Sequence, residues 1–260
     1  MASSQTQSRP VQLRKLLSAC IDCSRAAGKL IRSIREKGAL QAKDKDKGGD
    51  DGSNGEVDEK DLKDPVTVAD LEAQRLIEHA LNYAFPGINT VGEEGTLDKP
   101  DVLFSPSIDL VKDTLPSVYD AVPPEDITIW IDPVDGTKSF ILGKLDVVTC
   151  LIGISKRRRA LIWFGEKEKL AKALKNVERP LGEVVTSGSA GNMIMKVVEG
   201  EVDVYFQTAN NKWDTCAAEA ILRAAGGNLT DFYGRQYFYD KNAKHRNSTG
   251  VLATLFDHET

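Results

Sequence analysis

Four cysteines in a chain of 260 residues do not make a disulfide framework. No stretch approaches the ~20 apolar residues needed to span a membrane. The opening MASSQTQSRPVQLRKLL lacks the apolar centre of a secretory leader. A reducing cytoplasm is therefore the expected setting. Charge of one sign is scarce too: 34 basic against 39 acidic residues leave a net of −5, so neither nucleic acid nor membrane is the expected partner. The three histidines, His79, His245 and His258, stand far apart, and no Gly-x-Ser-x-Gly elbow is present, so a serine or cysteine triad has little support. No Gly-x-x-x-x-Gly-Lys-Ser/Thr loop occurs, which argues against a nucleotide-hydrolysing switch. Cys20 and Cys23 form a Cys-x-x-Cys. It lies inside a helical pattern with no second pair and no histidine nearby, so it reads as core packing.

With 41% hydrophobic residues the chain can bury a real core, as one large domain or two tightly associated lobes. Leu13 to Ile34 carries apolar residues at helical spacing. Lys43 to Lys63 (KDKDKGGDDGSNGEVDEKDLK) has almost no apolar content and reads as a mobile loop. A turn at Asp64-Pro65 leads into a helix to about Phe85, stopped by Pro86-Gly87, and INTVGEEG then gives a short strand. Lys99 to Asp126 is a proline-punctuated covering segment. Strands are expected at Ile127–Ile131, Val147–Ser155, Glu201–Gln207 and Gly250–Leu255. Lys156 to Arg159 is a solvated basic turn. Helices are expected over Gly165–Lys175, Asn192–Glu199 and WDTCAAEAILRAAGG, the last ended by Gly226-Gly227.

Acids recur where these elements begin or end. Asp70 and Asp214 stand at helix starts, Glu93 and Glu94 after a strand, Asp132 and Asp135 after another. In WIDPVDGTKSF the two aspartates straddle Pro133, and two carboxylates that close repel each other unless something offsets the charge. Hard oxygen donors in that number suit Mg²⁺ or Mn²⁺. Taken singly, Asp70 and Asp214 are better explained as ordinary helix caps. Gly136 lets a ligand approach the backbone, the following N–H groups can hold an anion, and the Thr137 hydroxyl can orient a water. Metal beside an anion-binding turn is what hydrolysis of a phosphate monoester needs.

Asp70, then Gly92-Glu93-Glu94, then Asp132-Pro-Val-Asp135-Gly-Thr137, then Trp213-Asp214-Thr-Cys-Ala217-Ala218 resembles, in order, the signature of the lithium-sensitive, magnesium-dependent phosphomonoesterases of the inositol monophosphatase-like superfamily. The resemblance spans about Lys63 to Leu255. TVADLEAQRLIEHAL, NKWDTCAAEAILRAAGGNLTDFYG and KHRNSTGVLATL look most like its bisphosphate nucleotidase branch. It implies a layered αβαβα sandwich of α/β (α+β) class, with an N-terminal lobe over residues 1–155, a shortened C-terminal lobe over 156–260 and an incomplete second sheet. Glu93, Asp132, the Val134 carbonyl, Asp135 and Asp214 would hold Mg²⁺, and Li⁺ would inhibit by taking one metal position. Asp70 and Thr137 would activate the attacking water, with Asp64 lining the same region and Thr67 supporting the water-activating group. The Gly136 and Thr137 amides would hold the phosphate, and Ser189 and Gly191 would flank the rest of the substrate. The implied reaction removes the 3'-phosphate of adenosine 3',5'-bisphosphate to give AMP and phosphate, and acts on the sulfated form as well.

The sequence departs from that pattern twice. Between LIGISKRRRALI and EKEKLAKALKNVERP the family carries several dozen more residues, whereas here Trp163-Phe164-Gly165 joins the two sides. Sheet edges exposed by such a gap would favour association into homo-oligomers. Met193 stands where the nucleotidases commonly carry a lysine. Inositol polyphosphate 1-phosphatase is the alternative substrate reading. An inactive metal-binding or regulatory homologue is the alternative from another class.

Overall fold

The computed structural model describes residues 9–38, 40–45, 64–100, 103–112, 121–156, 159–160 and 187–256. The expected helix over 165–175, the junction at 161–166 and residues 46–63 of the expected loop lie outside them.

Helix α1 (Leu13–Glu36) turns Leu13, Leu16, Ala19, Cys20, Cys23, Ala27 and Ile31 inward. Both thiols of the Cys-x-x-Cys are thus core groups, and burial raises them, Cys23 to about 12. Strand β1 (Lys43–Asp44) pairs antiparallel with β2 (Pro65–Val66), so the start of the expected loop is held in a two-stranded ribbon. Helix α2 (Val68–Ala84) opens at Thr67 and packs beside α1. Strand β3 (Asn89–Gly92) follows.

Strand β4 (Ile127–Asp135) is buried at all nine positions. Ile127, Ile129 and Ile131 join the core under α1 and α2, while Trp130, on the opposite face, joins a second cluster with Trp213, Cys216 and Tyr239. A strand covered on both faces reads as a continuous apolar run, which is what ITIWI is. The strand continues four residues past its expected end at Ile131, with a register shift between Asp132 and Asp135. Pro133, which has no N–H to give a ladder, sits inside that irregularity.

After β4 come the one-turn helix α3 (Thr137–Ile141) and β5 (Thr149–Lys156), which hairpins into β6 (Arg159–Ala160). The first sheet has the order β3-β4-β5-β6, parallel between β3 and β4 and antiparallel beyond. It therefore runs past residue 156, where the lobe boundary was expected. Residues 103–112 and 121–122 lie along α1 as a cover: the Val111 N–H donates to Ser18, Arg14 donates to the Val111 carbonyl, and Val11 bridges Val122.

Helix α4 (Ala190–Val198), β7 (Val204–Gln207), β8 (Asn210–Asn211), α5 (Lys212–Ala224), β9 (Asn228–Thr230), β10 (Arg246–Asn247) and β11 (Val251–Thr254) complete the described chain. A three-stranded antiparallel sheet, β7-β11-β9, buries Tyr205, Leu229, Val251 and Ala253 against α4 and α5. Met193 is one of the α4 residues in that apolar cluster. Among the described residues the layers are helices, sheet, helices, sheet. No described helix is long and apolar enough to cross a membrane.

Helix α5 packs on β4 and β5 and so joins the two cores. The approach is close at Gly153 of β5, where a Cβ would lie 2.7 Å from the Ala217 nitrogen and 2.8 Å from Cys216. Gly153→Ala should therefore cost about 1–3 kcal/mol through overpacking. A urea-unfolding midpoint equal to that of the wild type would contradict this packing.

Candidate active site

The register of the first sheet brings two acids together. Gly92 ends β3 opposite Ile131 of β4, the strands are parallel, and Glu93 donates its N–H to the Ile131 carbonyl at 3.1 Å. Glu93 and Asp132 therefore leave neighbouring strands at the same end. Asp132 lies on the Trp130 face of β4, toward α5, and Asp214 is in the first turn of that helix. Carboxylate oxygens of Glu93, Asp132 and Asp214 lie within 4.8 Å of one another. Burial, then Glu93, Asp135 and Asp214, drive the Asp132 carboxyl well above its ordinary pKa. Burial and the charges of Asp135 and Glu93 push Asp214 up to about 8, against the Asn211 N–H that it accepts.

Asp70 and Asp214 are helix caps, and each also reaches the site. Asp70 Oδ2 accepts the Thr67 N–H at 2.7 Å and the Thr67 hydroxyl at 2.5 Å, which closes a capping box at the start of α2. Its Oδ1 lies 3.0 Å from Thr137 Oγ1, which is also 3.0 Å from the Val134 carbonyl oxygen. One hydroxyl proton serves one of these acceptors at a time. Asp214 Oδ2 accepts the Asn211 N–H at 2.7 Å. In both helices the cap fixes the carboxyl's direction.

Gly136 has φ +94°, a conformation open to glycine, and reverses the chain between β4 and α3 so that the Thr137 hydroxyl meets Asp70. Asp64 donates its N–H to Asp44 at 3.0 Å beside the β1–β2 ribbon.

Asp135, Ser189 and Gly191, expected in separate metal-binding and substrate-binding roles, meet one another. Asp135 Oδ2 accepts the Ser189 hydroxyl at 2.7 Å, the Gly191 N–H at 2.7 Å and the Thr149 hydroxyl at 2.8 Å; Oδ1 accepts the Ala190 N–H at 3.1 Å. A carboxylate is favoured where a helix presents unpaired N–H groups, and Asp135 stands at the start of α4. It is not among the three converging carboxylates.

The sequence reading missed Lys45. Its Nζ is 2.7 Å from Glu93 and 2.8 Å from Glu94. Burial opposes its charge, yet Glu93 and Glu94 hold the ammonium above its ordinary range, while burial lifts Glu94 to about 7 against the pull of Lys45. KDKDK carries no periodic signal that would single out one lysine.

The family model for inositol monophosphatases matches residues 12–162 and 162–258. The chain belongs to the inositol monophosphatase family. This is a family of phosphatases, and the two matched stretches abut at Ile162, beside the expected gap. The rat and human proteins named 3'(2'),5'-bisphosphate nucleotidase 1 are each 32% identical to this chain. The rat alignment covers 95% of this chain and 92% of the relative, the human one 100% and 95%. The human alignment runs over 311 positions against 260 residues here, so part of the relative has no counterpart in this chain. Among solved structures, the suhB protein of Bartonella henselae superposes with a TM-score of 0.59 at 17% identity, covering 92% of this chain and 93% of that one. CysQ of Bacteroides thetaiotaomicron gives 0.58 at 21% identity, covering 93% and 97%. These two structures establish the fold.

The raised carboxyls of Asp132 and Asp214 leave a signature in stability. Asp214 titrates near 8 in the folded chain and near 4 in an unfolded one. Its stabilising contribution is therefore complete below about pH 4 and is lost as pH rises through about 8. In chelator-treated protein the melting temperature should fall from pH 5 to pH 9, and Asp214→Asn should flatten the decline. A flat or rising wild-type profile contradicts the assignment.

Proposed function

We propose that this chain is a Mg²⁺-dependent phosphomonoesterase, also served by Mn²⁺, that removes the 3'-phosphate of adenosine 3',5'-bisphosphate to give AMP and phosphate, and acts on the sulfated form as well. The observation that carries this reading is the convergence of Glu93, Asp132 and Asp214 beside the Asp70–Thr137 pair. The donor set fits the ion: all three offer hard carboxylate oxygens, those of Asp132 and Asp214 raised by burial and neighbouring charge, and a divalent cation would relieve that repulsion. The Val134 carbonyl and Asp135 Oδ1, which retain lone-pair capacity, would be the further ligands at the same strand end. When bound, the ion supplies Lewis-acid stabilisation of phosphoryl oxygens and a water of lowered pKa.

The chain's own groups do the rest. Asp70, aimed by Thr67, and the Thr137 hydroxyl orient the attacking water and take up its proton. The Gly136 and Thr137 N–H groups hold a phosphoryl oxygen at the reversal after β4. Lys45 supplies positive charge beside Glu93. Nucleotide over inositol phosphate is favoured by the names of the relatives at 32% identity. Lithium, competing for one metal position, inhibits. The setting is the cytoplasm.

A second reading, metal binding without turnover, is favoured by the alignment positions missing from this chain and by the engagement of Ser189 and Gly191 with Asp135.

Phosphate release decides between the readings. Adenosine 3',5'-bisphosphate should release phosphate with Mg²⁺, faster than inositol 1,4-bisphosphate, and lithium should suppress it. Faster release from the inositol substrate transfers the proposal to inositol polyphosphate 1-phosphatase. No release from either, with Mg²⁺ binding intact, establishes the second reading. Asp132→Asn should abolish turnover and weaken Mg²⁺ binding while the far-ultraviolet spectrum is kept. Thr137→Ala should lower turnover by roughly 10²–10⁴-fold, the usual scale of acid–base assistance, with metal affinity nearly unchanged. Wild-type turnover in that variant removes Thr137 from the mechanism.

A further inference from the structure

Gln74 lies one helical turn beyond Asp70 on α2 and is wholly buried. Its side-chain amide spans the turn that follows β3. Oε1 accepts the Glu94 N–H at 2.9 Å, and Nε2 donates to the Gly95 carbonyl at 2.8 Å. Nε2 is also 3.3 Å from Glu78 Oε1. One amide thus holds backbone groups of two consecutive residues, Glu94 and Gly95, in the turn whose first acid is Glu93. The turn also closes on itself, Gly95 donating to Gly92 at 3.3 Å.

The same amide explains why residue 92 is glycine. A Cβ there would fall 2.2 Å from Gln74 Cδ, 2.3 Å from Nε2 and 2.5 Å from Oε1. Real Cβ atoms do not sit so near a neighbour, so any side chain at 92 would displace the amide. Residues i and i+4 share a helix face. Asp70 and Gln74 therefore point from one face of α2, the first to Thr137 and the second to the Glu93 turn.

We propose that Gln74 is a positioning residue that sets where the Glu93 carboxylate stands relative to Asp132 and Asp214. This rests on the metal reading above. Because the amide touches the turn and not the three converging oxygens, its effect should appear in metal affinity more than in saturated turnover. Groups that orient a metal's ligands typically change affinity by about 10–100-fold when removed.

The test is a Mn²⁺ titration followed by electron paramagnetic resonance, with circular dichroism to check the fold. Gln74→Met keeps length and bulk but neither hydrogen bond, and should weaken Mn²⁺ binding about tenfold or more, with kcat at saturating Mg²⁺ within about threefold. In a Glu93→Gln background the same substitution should change Mn²⁺ affinity less than twofold, because the ligand it aims is gone. Gln74→Glu keeps shape and acceptor but loses the donor to Gly95. An added carboxylate attracts cations, so weaker binding in that variant reports position and not charge. Wild-type affinity in both folded variants overturns the proposal. So does unfolding of both, which would make the amide a general support of the core. If the wild type itself binds no Mn²⁺, the metal reading fails and takes this inference with it.

Discussion

Three carboxylates crowded together, Asp132 buried and Glu93 and Asp214 half-buried, are the constraint around which this protein is arranged. At ~4 Å two like charges repel by about 4 kcal/mol even at an effective dielectric near 20. A single helix cap contributes about 1 kcal/mol, so capping alone cannot hold Asp214 ionised beside Glu93 and Asp132. Either protons or a cation must neutralise the group. The upward displacement of Asp132 and Asp214 is the proton answer, and the oxygen-only donor set suits the cation answer. The proposed function takes the cation answer.

The fold supplies the three acids by three separate devices. Parallel pairing of β3 with β4 ends both strands at the same edge and delivers Glu93 and Asp132. Close packing of α5 on Gly153 brings Asp214 from the second half of the chain. The capping box of α2 aims Asp70 at Thr137. Strand pairing alone joins Glu93 and Asp132, whereas Asp214 reaches them only through the packed interface between the two cores. Trp130 anchors that interface from the same face of β4, donating from Nε1 to the Tyr239 carbonyl at 3.0 Å.

Much of this was legible in the sequence. Periodicity gave α1 and α2, and the β-branched run ITIWI gave a buried strand, because both signals come from burial itself. Acids at element ends predicted a cluster, and Glu93, Asp132 and Asp214 do converge. Asp70 and Asp214, set between a capping and a functional reading in the sequence, both cap their helices, and Asp70 also meets Thr137 while Asp214 also joins the acidic cluster. Strand β4 continues past Ile131 because a register break absorbs Pro133, which no propensity encodes. Lys45 was hidden in a charged stretch without pattern, since its role depends on a strand pairing across some twenty residues. Asp135 illustrates the reverse: its motif is plain, but its partners Ser189 to Gly191 lie more than fifty residues away and are visible only once α4 is docked.

The most direct test of the account is anomalous diffraction from crystals soaked in Mn²⁺. A peak bounded by carboxylate oxygens of Glu93, Asp132 and Asp214, at metal–oxygen distances of roughly 2.0–2.3 Å, is what the convergence of these acids predicts. A fully soaked crystal in which those side chains remain apart and the manganese lies elsewhere would contradict it.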